Sequence, residues 1–334
     1  SMFTALVITR LVMNAFYALG LQDAKLYGIQ KERKTINFLS KKNICFVISA
    51  VLILGGLAVM GVNGSKGKGA LNYSLEFQGG TSITIPMNEA LSIQEIDETV
   101  KPVVSEVIGS NEIQAQKVDG SNDVIVKTRV LDLETREALC QELVEKFGVD
   151  ENQIAIENIG AAISSEMRSD AITAVLLAAL FMLLYIWFRF KDIRFATSAV
   201  AALLHDVLVV LAFYAVARLS VGSNFIACML TIVGYSINAT IVIFDRIREN
   251  LAVAGRKADL QELVNRSITQ TLSRSVNTSV TTFITVAVLY VLGVASIREF
   301  ALPLMAGIVC GAYSSVCITG ALWYVMKTKL GKKN

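Results

Sequence analysis

The sequence predicts an α-helical polytopic membrane protein with one α+β domain of ferredoxin-like order on the outer side of the membrane. Three observations predict it. Six segments are apolar over lengths that suit a bilayer, Lys and Arg gather on alternate connections between them, and one long polar stretch shows strand and helix periodicities. Composition agrees. Of 334 residues, 54% are apolar and 18% charged, with a mean hydropathy of +0.55. Soluble domains carry roughly 25% charged residues.

Residues 1–20 are apolar from the start and interrupted early by Arg10, so they read as the tail of a spanning helix whose beginning is missing. Residues 21–42 form a basic linker holding Lys25, Lys31, Arg33, Lys34, Lys41 and Lys42. The predicted spans are 43–62, 169–188, 195–217, 223–244, 276–293 and 300–326. Each approaches the roughly 20 residues that a helix needs to cross about 30 Å of hydrocarbon. The loop 189–194 holds Arg189, Lys191 and Arg194. Segment 245–275 holds Arg246, Arg248, Arg256, Lys257, Arg266 and Arg274, and the tail 327–334 ends with Lys327, Lys329, Lys332 and Lys333. The opposite short loops hold only Arg218 and Arg298. The positive-inside rule makes the basic side cytoplasmic and puts 63–168 outside.

Within 63–168, Thr81 to Ile85 alternates as a strand with Ile83 and Ile85 on one face. Ser92 and Glu95 form a capping box that opens a helix, which Pro102 should bend. Ile113 to Val118 is a second strand. Asp123 to Val130 is a third, with Val124, Val126, Thr128 and Val130 on one face. Asp132 starts a helix over Leu133 to Phe147, and Ile154 to Glu157 is the last strand. The order is β-α-β-β-α-β.

Several chemistries are excluded. There is no P-loop, GxSxG or HExxH, so no enzyme is expected. Glu134, Glu137, Glu142 and Glu145 read as the solvated face of a helix. The single histidine, His205, leaves no His-rich metal site, and no cofactor or metal is expected. The net charge of +3 sits beside apolar spans and implies no nucleic acid. Cys45, Cys228, Cys310 and Cys317 lie in spans, so Cys140 has no disulfide partner in the polar domain.

Ionisable groups inside the spans are costly, by about 2.5–3.5 kcal/mol at the bilayer centre, and mark function by default. His205 and Asp206 lie midway along 195–217, with Asp206 about 16 Å deep, and Asn238 lies about 9 Å deep in 223–244. Asp206 reads either as a relay carboxylate or as a buried structural partner. Asp245, Arg246, Arg248 and Arg274 read either as coupling groups or as interfacial anchors. Gly307 and Gly311 form a GxxxG in the last span, and Gly55, Gly56 and Gly61 suggest close helix contacts in the first.

Two stretches resemble a known family. Thr231 to Leu251 reads TIVGYSINATIVIFDRIRENL and contributes Gly234, Tyr235, Ser236, Asn238, Thr240, Asp245, Arg246, Arg248, Glu249 and Asn250. With Asn265 to Gly293 it closely resembles helices of the SecF family of export proteins, related to the RND transporters. Glu76-Phe77-Gln78-Gly79-Gly80-Thr81, Ile159-Gly160 with Glu166 to Asp170, and Leu204-His205-Asp206-Val207 resemble further family motifs. Residues 1–20 resemble the end of the last SecD span, so the whole looks like the C-terminal half of a SecDF fusion.

The resemblance implies an RND-type six-helix bundle and an accessory role in the Sec translocase, driven by the proton-motive force. It implies SecD, the SecY channel complex, the translocating preprotein, YajC and YidC as partners, in a lipid bilayer and without a cofactor. On that role His205, Asp206, Asn238 and Arg274, singled out above by their place in the spans, are the candidates for proton relay. Ala239 departs from the family, which usually carries Asp there, and Glu76 replaces the usual Asp. Two rival readings follow: an RND or MMPL-type exporter of small molecules or lipids, and a translocase subunit that is structural and uncoupled.

Overall fold

The structure is a computed structural model that describes residues 3–23, 34–66, 69–110, 113–118, 121–254, 259–293 and 295–329. Lys25, Lys31, Arg33, Arg256, Lys257, Lys332 and Lys333 lie outside the described residues. The chain divides into two units, Ser1–Ile36 and Asn37–Asn334. In the first, a π-helical turn at Thr4–Ile8 runs into α1 (Thr9–Ala18), which exposes Leu11, Phe16 and Tyr17.

The second unit begins with α2 (Lys42–Ser65), followed by β1 (Asn72–Tyr73) and the short α3 (Leu75–Gln78). The sheet domain then follows. Its elements are β2 (Gly80–Pro86), α4 (Ile93–Glu95), α5 (Lys101–Ile108), β3 (Gln114–Lys117), β4 (Asp123–Thr128), α6 (Leu133–Phe147) and β5 (Ala155–Ile159). The strand order is β3-β4-β2-β5 with every pair antiparallel, the ferredoxin-like arrangement. Ile83, Ile85, Val124 and Val126 point from the sheet onto Val104, Ile108, Leu139 and Leu143 of the two helices, and all eight are buried. That apolar face holds the domain together.

The local signals act as their chemistry dictates. The Ser92 amide donates to Glu95 Oε2 at 2.7 Å, and the Glu95 amide donates to Ser92 Oγ at 3.3 Å. Asp132 accepts from the Thr135 amide at 2.9 Å. Pro102 sits in the first turn of α5, and a π-helical turn at Ile96–Val100 joins α4 to α5 ahead of it. The wide turn accommodates the missing proline N–H, so the helix widens before the ring. Val130 departs from the expected strand face and is 47% exposed. β4 has already ended at Thr128, and Leu131 turns inward instead, its amide donating to Thr81 Oγ1 at 3.0 Å.

The remaining elements are α7 (Ala161–Phe190), α8 (Ile193–Ala217), β6 (Ser220–Val221), α9 (Ser223–Ala254), α10 (Leu260–Leu292), α11 (Ala295–Tyr313) and α12 (Gly320–Lys329). A π-helical segment at Ser314–Thr319 joins α11 to α12 in one run. Among the described residues six helical runs are long and apolar enough to cross a membrane. This is a multi-pass membrane protein. α9 and α10 continue as helix well into 245–275, beyond their apolar parts. α8, α9 and the last run form the interior of the bundle, where Phe195 stacks on Trp323 at 5.0 Å and meets Phe244 edge-on. α2 and α7 expose apolar faces such as Leu54, Leu176, Phe181 and Phe188.

Among the glycines, Gly307 and Gly311 do mark a close approach: a Cβ at Gly307 would meet Ile232 of α9, and one at Gly311 would lie 3.2 Å from Ser236. Gly56 packs on Ala212 of α8, whereas Gly55 and Gly61 face open space, so only one of the three α2 glycines serves packing.

Candidate functional site

α8 buries one face along Ala199, Ala202, Leu203 and Val210, and Asp206 lies on that face with no exposure at all. Three donors and a ring nitrogen converge on its carboxylate. Ser236 Oγ of α9 donates to Oδ2 at 2.6 Å, and Ser314 Oγ of the π-helical segment donates to the same oxygen at 2.7 Å. Oδ1 lies 2.9 Å from His205 Nδ1 and accepts from Cys310 Sγ at 3.3 Å. The other ring nitrogen, His205 Nε2, lies 2.8 Å from Ser49 Oγ of α2. Ser49 Oγ is in turn 3.4 Å from Tyr313 Oη, which donates to the Cys45 carbonyl at 2.8 Å. A carboxylate in an apolar interior is tolerated only when its lone pairs are filled, and here all are.

This cluster links α2, α8, α9 and α11. Its register depends on the π-helical segment, which begins at Ser314, a class of distortion common at functional sites. His205, Asp206 and Cys310 also bring nitrogen, oxygen and sulfur donors within 4.8 Å of one another. Oδ1 is already engaged by the ring nitrogen and the thiol, and the trio is a hydrogen-bonded cluster.

Asn238 and Arg274 form a second place. They line a small pocket of about 60 Å³ with Tyr235, Ala239, Ser275 and Thr278. The hydroxyls of Tyr235 and Ser275 are buried without a protein partner. Among the described residues no carboxylate comes within ion-pair distance of Arg274, because Ala239 presents a methyl group in this pocket. Asp206 and Arg274 are not brought together.

The remaining motif residues serve two junctions. At the basic ends of the helices, Asp245 receives Arg189 at 3.1 Å and Arg248 at 3.6 Å, and both guanidinium groups lie over the Phe190 ring. Arg246 pairs with Glu249, and Asn250 donates to Ser267 and Gln270 of α10. These contacts fasten α7, α9 and α10. Gly234 is exposed and Thr240 buried within α9.

At the other junction Glu76 Oε2 accepts from the Ser223 amide at 2.7 Å, at the N-terminus of α9, where the helix dipole favours a carboxylate. Phe77 is buried against the helix bundle. Gly79 and Gly80 take φ of +74° and +126°, values that L side chains rarely adopt, which turns the chain from α3 into β2. β1 pairs in parallel with β6, and Asn72 donates to the Arg218 carbonyl at 3.0 Å.

Sequence reading singled out His205 and Asp206 by charge in an apolar run, but missed Ser49, Cys310, Tyr313 and Ser314. Only their spacing across three helices gives them a role. Small hydroxyls inside otherwise apolar spans are a signal for Ser49 and Ser314, while Cys310 and Tyr313 carry none.

Residues 139–329 match the family described as protein export membrane protein SecD/SecF, C-terminal. The chain is 34% identical over 294 residues to protein translocase subunit SecF of Sebaldella termitidis, covering 87% of this chain and 92% of that one. It is 38% identical over 288 residues to protein translocase subunit SecDF of Thermus thermophilus, covering 85% of this chain and 38% of the relative. The crystal structure of SecDF, a translocon-associated membrane protein from Thermus thermophilus, superposes with a TM-score of 0.78 at 34% identity, over 90% of this chain and 40% of that one. The chain thus spans most of a SecF and about two fifths of a SecDF. By its sequence and its fold, the chain belongs to the SecD/SecF family of protein export membrane proteins.

Proposed function

We propose that the chain acts as the SecF-type subunit of a protein translocase, using the proton-motive force to assist preprotein export across the bacterial cytoplasmic membrane. On this reading the sheet domain lies outside the cytoplasm and handles the emerging preprotein. The Asp245 network and the end of α12 lie inside. SecD and the SecY channel complex are the partners in the membrane, with YajC and YidC in the wider assembly.

The observation that best supports the reading is the tie between the sheet domain and α9. Glu76 caps α9, β1 pairs with β6, and Phe77 is buried in the apolar cluster of the bundle, so a shift of α9 is carried to β2 through three or four residues. Lys127 of β4 extends the tie. Burial lowers its pKa, and Glu299 of α11 partly offsets that. A membrane motor that works on a chain outside needs such a stiff link.

The test is export of a preprotein into vesicles that hold the SecY channel, the SecD half and this chain. Expected is a proton-motive-force-dependent gain, together with crosslinks from photoreactive residues placed between Ser82 and Lys127 to an arrested preprotein. Efflux of small molecules with no change in preprotein export would sink the reading and favour the exporter class.

Ala239 beside Arg274 supports a second reading, a structural subunit without coupling. In that case the same vesicles show the same gain whether or not a proton gradient is imposed.

A further inference from the structure

We infer that His205 is a proton-binding site, and that its Nε2 and the Ser49 hydroxyl form a two-way hydrogen-bond switch joining α8, α2 and α11. The inference rests on the energy-coupled reading above and supplies the group that Ala239 lacks. Asp206 fixes one side of the ring. Its four neighbours, Ser236, Ser314, Cys310 and His205 Nδ1, can each offer a hydrogen, so the cluster fits a carboxylate and a ring with its hydrogen on Nδ1. Nε2 is then the open position, and it faces Ser49 Oγ at 2.8 Å.

Both protonation states are satisfied. Without the extra proton, Ser49 donates to Nε2 while Tyr313 donates to the Cys45 carbonyl. With it, Nε2–H donates to Ser49 Oγ, and the Ser49 hydrogen turns to Tyr313 Oη, 3.4 Å away. Tyr313 keeps its bond to Cys45. One hydroxyl rotation is the whole rearrangement.

The titratable groups facing the pair are Cys310 and Tyr313 of α11, with Cys45 of α2 and Cys317 beyond Tyr313. α9 and the π-helical segment face it with Ser236 and Ser314. Among the described residues no Lys, Arg or further carboxylate, from α7, α12 or elsewhere, lies within ion-pair distance of either group. The ring, 8% exposed, reaches an apolar cavity of about 490 Å³ between α2 and α11. The hydroxyls of Ser49 and Tyr313 step from it toward the Lys42 end of α2. α2 leads into the sheet domain, and proton occupancy adds or removes a second α2–α11 bond, Ser49 to Tyr313, beside the standing Tyr313–Cys45 bond.

His205 is the single histidine of the 334 residues, which makes the test specific. The chain is labelled with ¹⁵N-histidine, purified on a histidine-free tag, placed in phospholipid bilayers and titrated by solid-state NMR. Expected is an Nδ1–H ring on the alkaline side and a ring protonated on both nitrogens on the acid side, reversibly. Tyr313→Phe removes the acceptor used only in the protonated state. It should weaken proton affinity about threefold to tenfold, the scale of one neutral hydrogen bond, and leave the Nδ1–H tautomer in place. An Nε2–H ring on the alkaline side, no change across the titration, a metal-ligated ring, or an unmoved midpoint in Tyr313→Phe would overturn the inference. A normal titration in a protein whose export gain ignores the proton gradient would instead overturn the function proposed above and leave the binding site standing.

Discussion

At the scale of single residues, Glu76 and Asp206 are both carboxylates whose lone pairs meet hydrogens that the fold brings to them. Glu76 caps a 32-residue helix, so Glu76→Ala should lower stability by about 1 kcal/mol, read as a drop in the detergent-solubilised melting temperature. A Glu76→Gln variant that melts with Glu76→Ala would show that the charge, and not only the hydrogen bond, matters at the dipole. Ser314→Ala withdraws one donor from a fully buried carboxylate and should cost about 1.5–3 kcal/mol, a larger loss than at the exposed cap. Ala239→Asp places a carboxylate in the Arg274 pocket. Proton-driven export should then stay level or rise, and a fall would show that the position is closed to charge. Charge inside an apolar run made Asp206 visible in the sequence. Ser49, Ser314 and Tyr313 look ordinary in their own helices, and only the packing of α2 and α11 on α8 reveals their part.

At the scale of elements, capping gives a pH prediction. The Ser92 backbone and side-chain hydrogen bonds lower the Glu95 pKa from its ordinary 4.5, and those from Thr135 lower Asp132 from 3.8. A depressed folded value means stabilisation that is present above the ordinary value and lost as pH falls through the lower folded one. Amide exchange at the start of α4 should therefore quicken below about pH 4.5 relative to the helix interior, and Glu95→Gln should abolish that pH dependence. The helix contacts give another prediction. Gly307→Leu drives a side chain into Ile232 and should loosen α11 from α9 by about 1–3 kcal/mol, whereas Gly61→Leu, which faces open space, should leave stability unchanged. Both caps were plain in the sequence because a cap is a contact over three residues. The π-helical turns before Pro102 and at Ser314 were not: the proline announces a disturbance of the helix but not a widened turn, and the local pattern of 314–319 carries no such signal.

At the scale of the molecule, membrane sidedness remains a prediction from charge. With native cysteines replaced outside the Asp206 cluster, a cysteine at Ser121 should react with a membrane-impermeant reagent in intact cells and one at Lys329 should not. The reverse pattern would invert the proposed topology. Much of the architecture was determined by sequence alone. A bilayer forces spanning segments to be apolar and helical, and an alternating face against an amphipathic helix fixes the β-α-β-β-α-β domain. Both are signals carried by neighbouring residues. Tertiary structure decided the rest. It separated Asp206 from Arg274, turned Asn238 and Arg274 toward a pocket that Ala239 leaves without a carboxylate, and closed the Asp206–His205–Ser49–Tyr313 chain across three helices. Helical periodicity says which residues share a face, but not which face of another helix they meet. That choice is made by side-chain fit and hydrogen-bond satisfaction between residues up to 156 positions apart in His205–Ser49 and 264 in Ser49–Tyr313.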